Sequence, residues 1–129
     1  MMTDPATFLR AFAVAWGARD TEALAALIAA DGDFLSLTGA HAEGRAEIKA
    51  LFAAELSGTF SQSRLVTGKT RLRPLGDGAA VLVQRFVLSG LVDAEGHDLG
   101  RIGALMVATL VQGPEGWQAI TLQFTATEG

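Results

Sequence analysis

Few side chains in this 129-residue chain can move a proton near neutral pH. His41 lies in the glycine-bounded stretch Gly39 to Gly44, with Glu43 two residues on. An imidazole titrates near pH 6.5, so His41 suits a general base if this stretch folds over a pocket mouth. Asp33, in Asp31-Gly32-Asp33, is the second candidate acid or base, although helix termination and turn geometry also account for both aspartates. His97, beside Asp98, follows a turn and reads as surface. The two histidines lack metal-site spacing, so no metal is expected. Ser36, Gln84 and Gln123 are the residues suited to hold a substrate oxygen, since hydrogen bonds aimed at a developing oxyanion lower a barrier. The chain contains neither cysteine nor tyrosine, which excludes thiolate nucleophiles, disulfides, iron–sulfur clusters and phenolic acids.

Composition narrows the partners. Half of the residues are apolar, 19% are charged and the formal net charge is −4, which describes one folded domain over residues 1–129 with a real hydrophobic core. An acidic domain repels phosphate backbones. Lys69, Arg71 and Arg73 alternate, and so share one strand face near Arg64 and Arg85, but no aromatic interleaves them. They read as a solvated face paired with nearby acids, and nucleic acid is not expected. No apolar run approaches the ~18 residues that cross a bilayer, so no membrane partner is expected. Ala11 to Ala18 is short and amphipathic behind Asp4 and Pro5, unlike a signal peptide, and the cytoplasm is the expected location.

The elements that must position these groups follow from periodicity. Asp4 as N-cap and Pro5 at the first helical position start a helix over 4–18, with Phe8, Phe12 and Trp16 as one stripe. Asp20 caps a second helix, 21–30, with Leu24, Leu27 and Ile28 on its apolar face. Residues 34–38 form a short strand and 39–44 a loop. A third helix spans about 45–57, with Ile48, Leu51, Phe52 and Leu56 inward. Arg45 is placed to anchor the loop by pairing with Asp31 or Asp33. Four strands follow at 64–74, 79–89, 100–112 and 117–126, separated by short glycine-containing turns. Helices followed by a strand meander argue an α+β fold, three helices on one face of a bent antiparallel sheet.

The strands from 79 and from 100 are apolar on both faces, interrupted in the first by Gln84 and Arg85. A sheet with one wet face alternates polar and apolar residues. The second apolar face predicts a homodimer packed through the outer side of the sheet. Of Gln84 and Arg85 one faces the helices and the other faces outward.

The ordered set Asp20-Thr-Glu-Ala-Leu24, Asp31-Gly-Asp-Phe34, Gly39, Glu43-Gly-Arg-Ala-Glu-Ile48, Gly116-Trp117 and Gln123-Phe-Thr125 resembles the SgcJ/EcaC branch of the SnoaL-like, nuclear-transport-factor-2-like superfamily. The resemblance covers nearly the whole chain. It implies a curved sheet wrapped by helices into a cone, an apolar pocket between them, and dimerisation through the sheet. It does not fix a reaction, because the superfamily holds isomerases, cyclases, epoxide hydrolases and scaffolding subunits. The isomerase-like pattern wants a carboxylate three residues before the loop glycine, where this chain has Ser36, and a tyrosine acid, which is absent. The cyclase-like pattern wants His and Asp in the long strands, whose interiors hold neither. The hydrolase-like pattern wants an Asp–Arg–Asp set, for which Arg85 or Arg101 would need acids from elsewhere. Phe124 replaces the branch's usual asparagine near the end of the last strand.

These readings combine into a pocket with a floor of Phe12, Trp16, Phe52 and Met106 and a polar wall of Thr121, Gln123 and Thr125, taken to share a face with Trp117; Ser36 and Gln84 complete it. The expected function is a cofactor-free pocket protein for a small, mostly apolar or amphipathic molecule, polyketide- or steroid-like. The alternatives are a cofactor-free isomerase, cyclase or hydratase using His41 or Asp33, and a structural dimerisation module.

Overall fold

The computed structural model describes residues 4–127. Asp4 accepts the Ala6 amide (2.9 Å) and Pro5 leads a 3-10 turn, Pro5–Thr7, into helix α1, Phe8–Gly17. Phe8, Phe12 and Trp16 recur every fourth residue and are buried. A fully buried aromatic of this kind contributes roughly 1.5–3 kcal/mol. Asp20 caps α2, Thr21–Ala26, through the Ala23 amide. Then come β1, Ile28–Leu35; β2, His41–Glu43; α3, Arg45–Leu56; and four long strands, β3 Arg64–Pro74, β4 Ala79–Ser89, β5 Ile102–Gly113 and β6 Gly116–Thr127. No helix among the described residues is long and apolar enough to cross a membrane.

The six strands form one sheet in the order β2-β1-β6-β5-β4-β3. All neighbours are antiparallel except β1 and β6, which run parallel. The helices cover one face, giving the α+β cone that the sequence predicts.

The boundaries depart from that reading most around the first strand, which runs Ile28–Leu35 rather than 34–38. The second helix ends at Ala26 rather than 30, and Ile28 opens a strand instead. Its helical spacing with Leu24 and Leu27 is overridden by distant partners: Ala119 donates its amide to Leu27, and Ile28 registers with Ala119. Asp31-Gly32-Asp33 lies inside this strand and terminates no helix. The loop at 39–44 contains the three-residue edge strand β2.

Two bulges decide which side chains face inward. In β6, Thr121 pairs with Thr109 but Ala119 pairs with Leu110, so Ile120 is one residue in excess. Trp117 and Ala119 face the helices before it, Leu122 and Phe124 after it. In β3 the ladder slips between Thr67, which pairs with Phe86, and Thr70, which pairs with Gln84, so Gly68 and Lys69 stand opposite Arg85. Gln84 is fully buried on the inner face, and Arg85 is exposed outward. The Gln84 amide donates to the Gly68 and Arg85 carbonyls (3.2 and 2.7 Å) and accepts from the Thr70 hydroxyl, so its polar atoms are used in pinning the bulge. Gly90 is fixed by φ +76° and by space, since a Cβ there would sit 2.3 Å from the Gln62 carbonyl oxygen.

Candidate functional site

A slot opens between the inner face of the sheet, α1 and α3. Trp16, Phe34, Phe60, Phe124, Leu37 and Leu88 line it, with Ser36 and Glu55 as its polar members. These side chains close on one another so tightly that no point between them admits a water molecule. Trp16 is held tilted against Phe60 and Phe124, with ring centres 5.5 and 6.2 Å away. Its indole N–H donates to Ser63 Oγ (3.0 Å).

Glu55 is the residue the sequence reading missed. It is 9% exposed near the end of α3. Ser36, the last residue before the β1–β2 turn, donates its hydroxyl to the carboxylate, 2.6 Å from Oε1 and 2.8 Å from Oε2. The Thr38 hydroxyl donates to Oε2 at 2.7 Å. The carboxylate therefore clasps the turn to the helix, and Leu37 lies over the slot between the two hydroxyl residues. A signal for Glu55 existed, because it extends the stripe of Ile48 and Phe52 by another three residues, where an apolar side chain is the norm.

The predicted pocket residues separate into groups. Trp16 and Ser36 line the slot. Phe12, Phe52 and Met106 are buried behind it: Phe12 packs on Phe124 (6.0 Å), Phe52 stacks on Phe34 (4.4 Å), and Met106 registers with Phe124. Trp117 is buried on the same face toward the far end of β6. Gln84 is inward but spent on the β3 bulge. Thr121 and Gln123 do not form a polar wall; the Ile120 bulge turns them to the outer face, in register with Asp33 and Leu35 of β1.

His41 and Asp33 do meet, but outside the slot. His41 Nε2 is 2.9 Å from Asp33 Oδ1 and 3.9 Å from Glu43 Oε1. Strand alternation sets them on the face opposite Phe34 and Ala42, so neither reaches the slot. Arg45 pairs with neither aspartate; its guanidinium donates to the Ile28 carbonyl (3.0 Å). The donor atoms of Asp33, His41 and Glu43 lie within 4.8 Å of one another, as do those of Asp93, Glu95 and His97. In both groups the imidazole already engages the aspartate at the surface. His97 is exposed in a turn that Asp93 organises. Asp93 accepts the His97 and Glu95 amides, which hold its carboxyl below the usual aspartate range.

Cone, aromatic inner face and, among the described residues, one buried carboxylate describe a small α+β domain. A family profile described as a SnoaL-like domain matches residues 9–117, and the chain belongs to that family. Comparison with curated proteins finds no match. Solved structures similar to it include a Caulobacter vibrioides protein with a cystatin-like fold (21% identity, TM-score 0.86, 95% of this chain and 87% of that one). Others are an NTF2-like protein from Novosphingobium aromaticivorans (21%, 0.75, 95% and 79%) and LinA (13%, 0.83, 95% and 83%). At these identities the likeness is one of fold.

Proposed function

We propose that this chain is a small-molecule pocket protein that takes a compact, mostly apolar ligand into the slot and sets the ligand's polar group against Glu55. The observation that carries this reading is the buried carboxylate, clasped by Ser36 and Thr38, in a wall otherwise aromatic and aliphatic. Burying a charge among apolar groups is costly, and packing alone would be better served by a leucine at this position. Ligand clefts typically span ~300–1,000 Å³. The slot admits no water as it stands, so even a one-ring molecule enters only as the β1–β2 turn and Leu37 move aside, and a steroid or polyketide would need a larger opening still. Thermal-shift and native mass-spectrometry screens of one-ring aromatic and terpenoid compounds test this. Binding that Phe124→Trp abolishes by filling the slot is the expected result. An absence of binding by every compound overturns it.

The same carboxylate favours a second reading, a cofactor-free isomerase or hydratase with Glu55 as general base. Loss of turnover of an enolisable ketone in Glu55→Gln, with the fold intact, is its test.

The proposed assembly is a homodimer through the outer face of the sheet. Val83, Val87, Leu105 and Val107 form its apolar strip. Lys69, Arg71, Arg73 and Arg85 lie along one side with no acidic partner among the described residues, contrary to the paired face expected of them. Asp33 and Glu43 lie at the opposite edge. A two-fold axis parallel to the strands sets the basic edge of each copy over the acidic edge of the other, whereas an axis across the strands stacks base on base.

A further inference from the structure

We infer that the ligand class of the Glu55 slot is a compact organic cation, a primary amine or quaternary ammonium on a one-ring hydrocarbon body. This rests on the pocket reading above and adds the charge of the ligand to it. Glu55 is more than nine-tenths buried, and no Lys, Arg or His pairs with it among the described residues. Its oxygens accept from two neutral hydroxyls, Ser36 and Thr38. Hydroxyl donors satisfy lone pairs but leave the negative charge uncompensated, and a carboxylate has about four acceptor positions, so room remains for further donors. A neutral ligand leaves that charge buried; an anionic one adds a second. An ammonium group cancels it and brings the donors it lacks.

The walls agree with the charge. Four of the lining side chains, Trp16, Phe34, Phe60 and Phe124, are aromatic, and aromatic faces attract cations through the ring quadrupole. The Trp16 indole N–H, the edge that would repel a cation, is turned to Ser63. The carboxylate takes the charged head while the rings and Leu88 take the hydrocarbon. Since the slot is closed at rest, binding lifts the Leu37 turn, and the ammonium replaces the hydroxyl clasp as the partner of Glu55.

The experiment titrates benzylamine, benzyl alcohol and benzoate, similar in size and differing in charge, into the wild-type chain. Affinity is measured by calorimetry, and the site is read from the Trp16 indole N–H resonance. The expected result is that benzylamine binds at least about tenfold more tightly than benzyl alcohol, that benzoate does not bind, and that Trp16 shifts. In Glu55→Gln the amine and the alcohol become nearly equal, while in Asp33→Asn/Glu43→Gln, which removes the surface acids, the preference is unchanged. If benzyl alcohol equals or exceeds benzylamine in the wild type with Trp16 shifting, the cation inference falls and the pocket reading stands. If the preference vanishes in the surface variant, or Trp16 stays fixed while the amine binds, the cation belongs to the outer acids and the inference falls. If none of the three binds, this inference and the pocket reading for one-ring ligands fall together.

Discussion

The two faces of the sheet are built from the same strands to opposite ends. The inner face is closed: α1 and α3 cover it, aromatic rings fill it, and the buried polar side chains of Ser36 and Gln84 are fully engaged. The outer face is open, with half-buried valine and leucine between a basic and an acidic edge. Both faces carry aliphatic side chains, so apolar content alone separates them poorly. They differ in what happens to charge: inside, a carboxylate is buried without a cation, and outside, cations are exposed without acids.

The largest expected effect comes from erasing the boundary between the faces. Deleting Ile120 straightens β6 and turns either Trp117 and Ala119 or Leu122 and Phe124 to the wrong side. Circular dichroism during heating should then show no cooperative transition, while Ile120→Ala, which keeps the extra residue, unfolds cooperatively. Next, Phe12→Ala should cost about 3–5 kcal/mol in urea unfolding. Similar losses from Phe12→Ala and the outer Val87→Ala would erase the contrast.

The outer face is tested by charge reversal. Arg71→Glu/Arg73→Glu should weaken self-association by more than about tenfold in concentration-dependent light scattering, equivalent to about 1.4 kcal/mol. Mixing it with Asp33→Lys/Glu43→Lys should restore a heterodimer. A wild-type chain that is monomeric at micromolar concentration removes the assembly. The smallest effect belongs to the clasp: Thr38→Val should cost about 1 kcal/mol of stability, one hydrogen bond, with the global unfolding transition still cooperative.

Much of this fold is legible in the chain. The limits of β3 and β4 and the start of α3 follow directly from periodicity and glycine turns, because those pairings are local hairpins. β1 does not, because its partner β6 is distant in sequence, and Leu24, Leu27 and Ile28 suit a helix until that partner arrives. The site is half legible. Trp16 and Ser36 follow from spacing, yet plain alternation misplaces Thr121 and Gln123, because a bulge at an ordinary isoleucine leaves no compositional trace. Glu55 escapes notice because a glutamate in a helix normally faces water. Its place in the Ile48–Phe52 stripe carries the information.

The parallel union of β1 with β6 also has a bearing on how the polypeptide comes into being. On the ribosome the first strand emerges long before the last, and in the interval β1 can pair only with the short β2, which leaves Ile28 without a strand to join. The central hairpins can pair as they appear, but closure of the cone waits for translation to finish. This delay makes the amino-terminal third of the nascent chain the part most in need of a chaperone, and it places the slow step of refolding at the joining of its two ends.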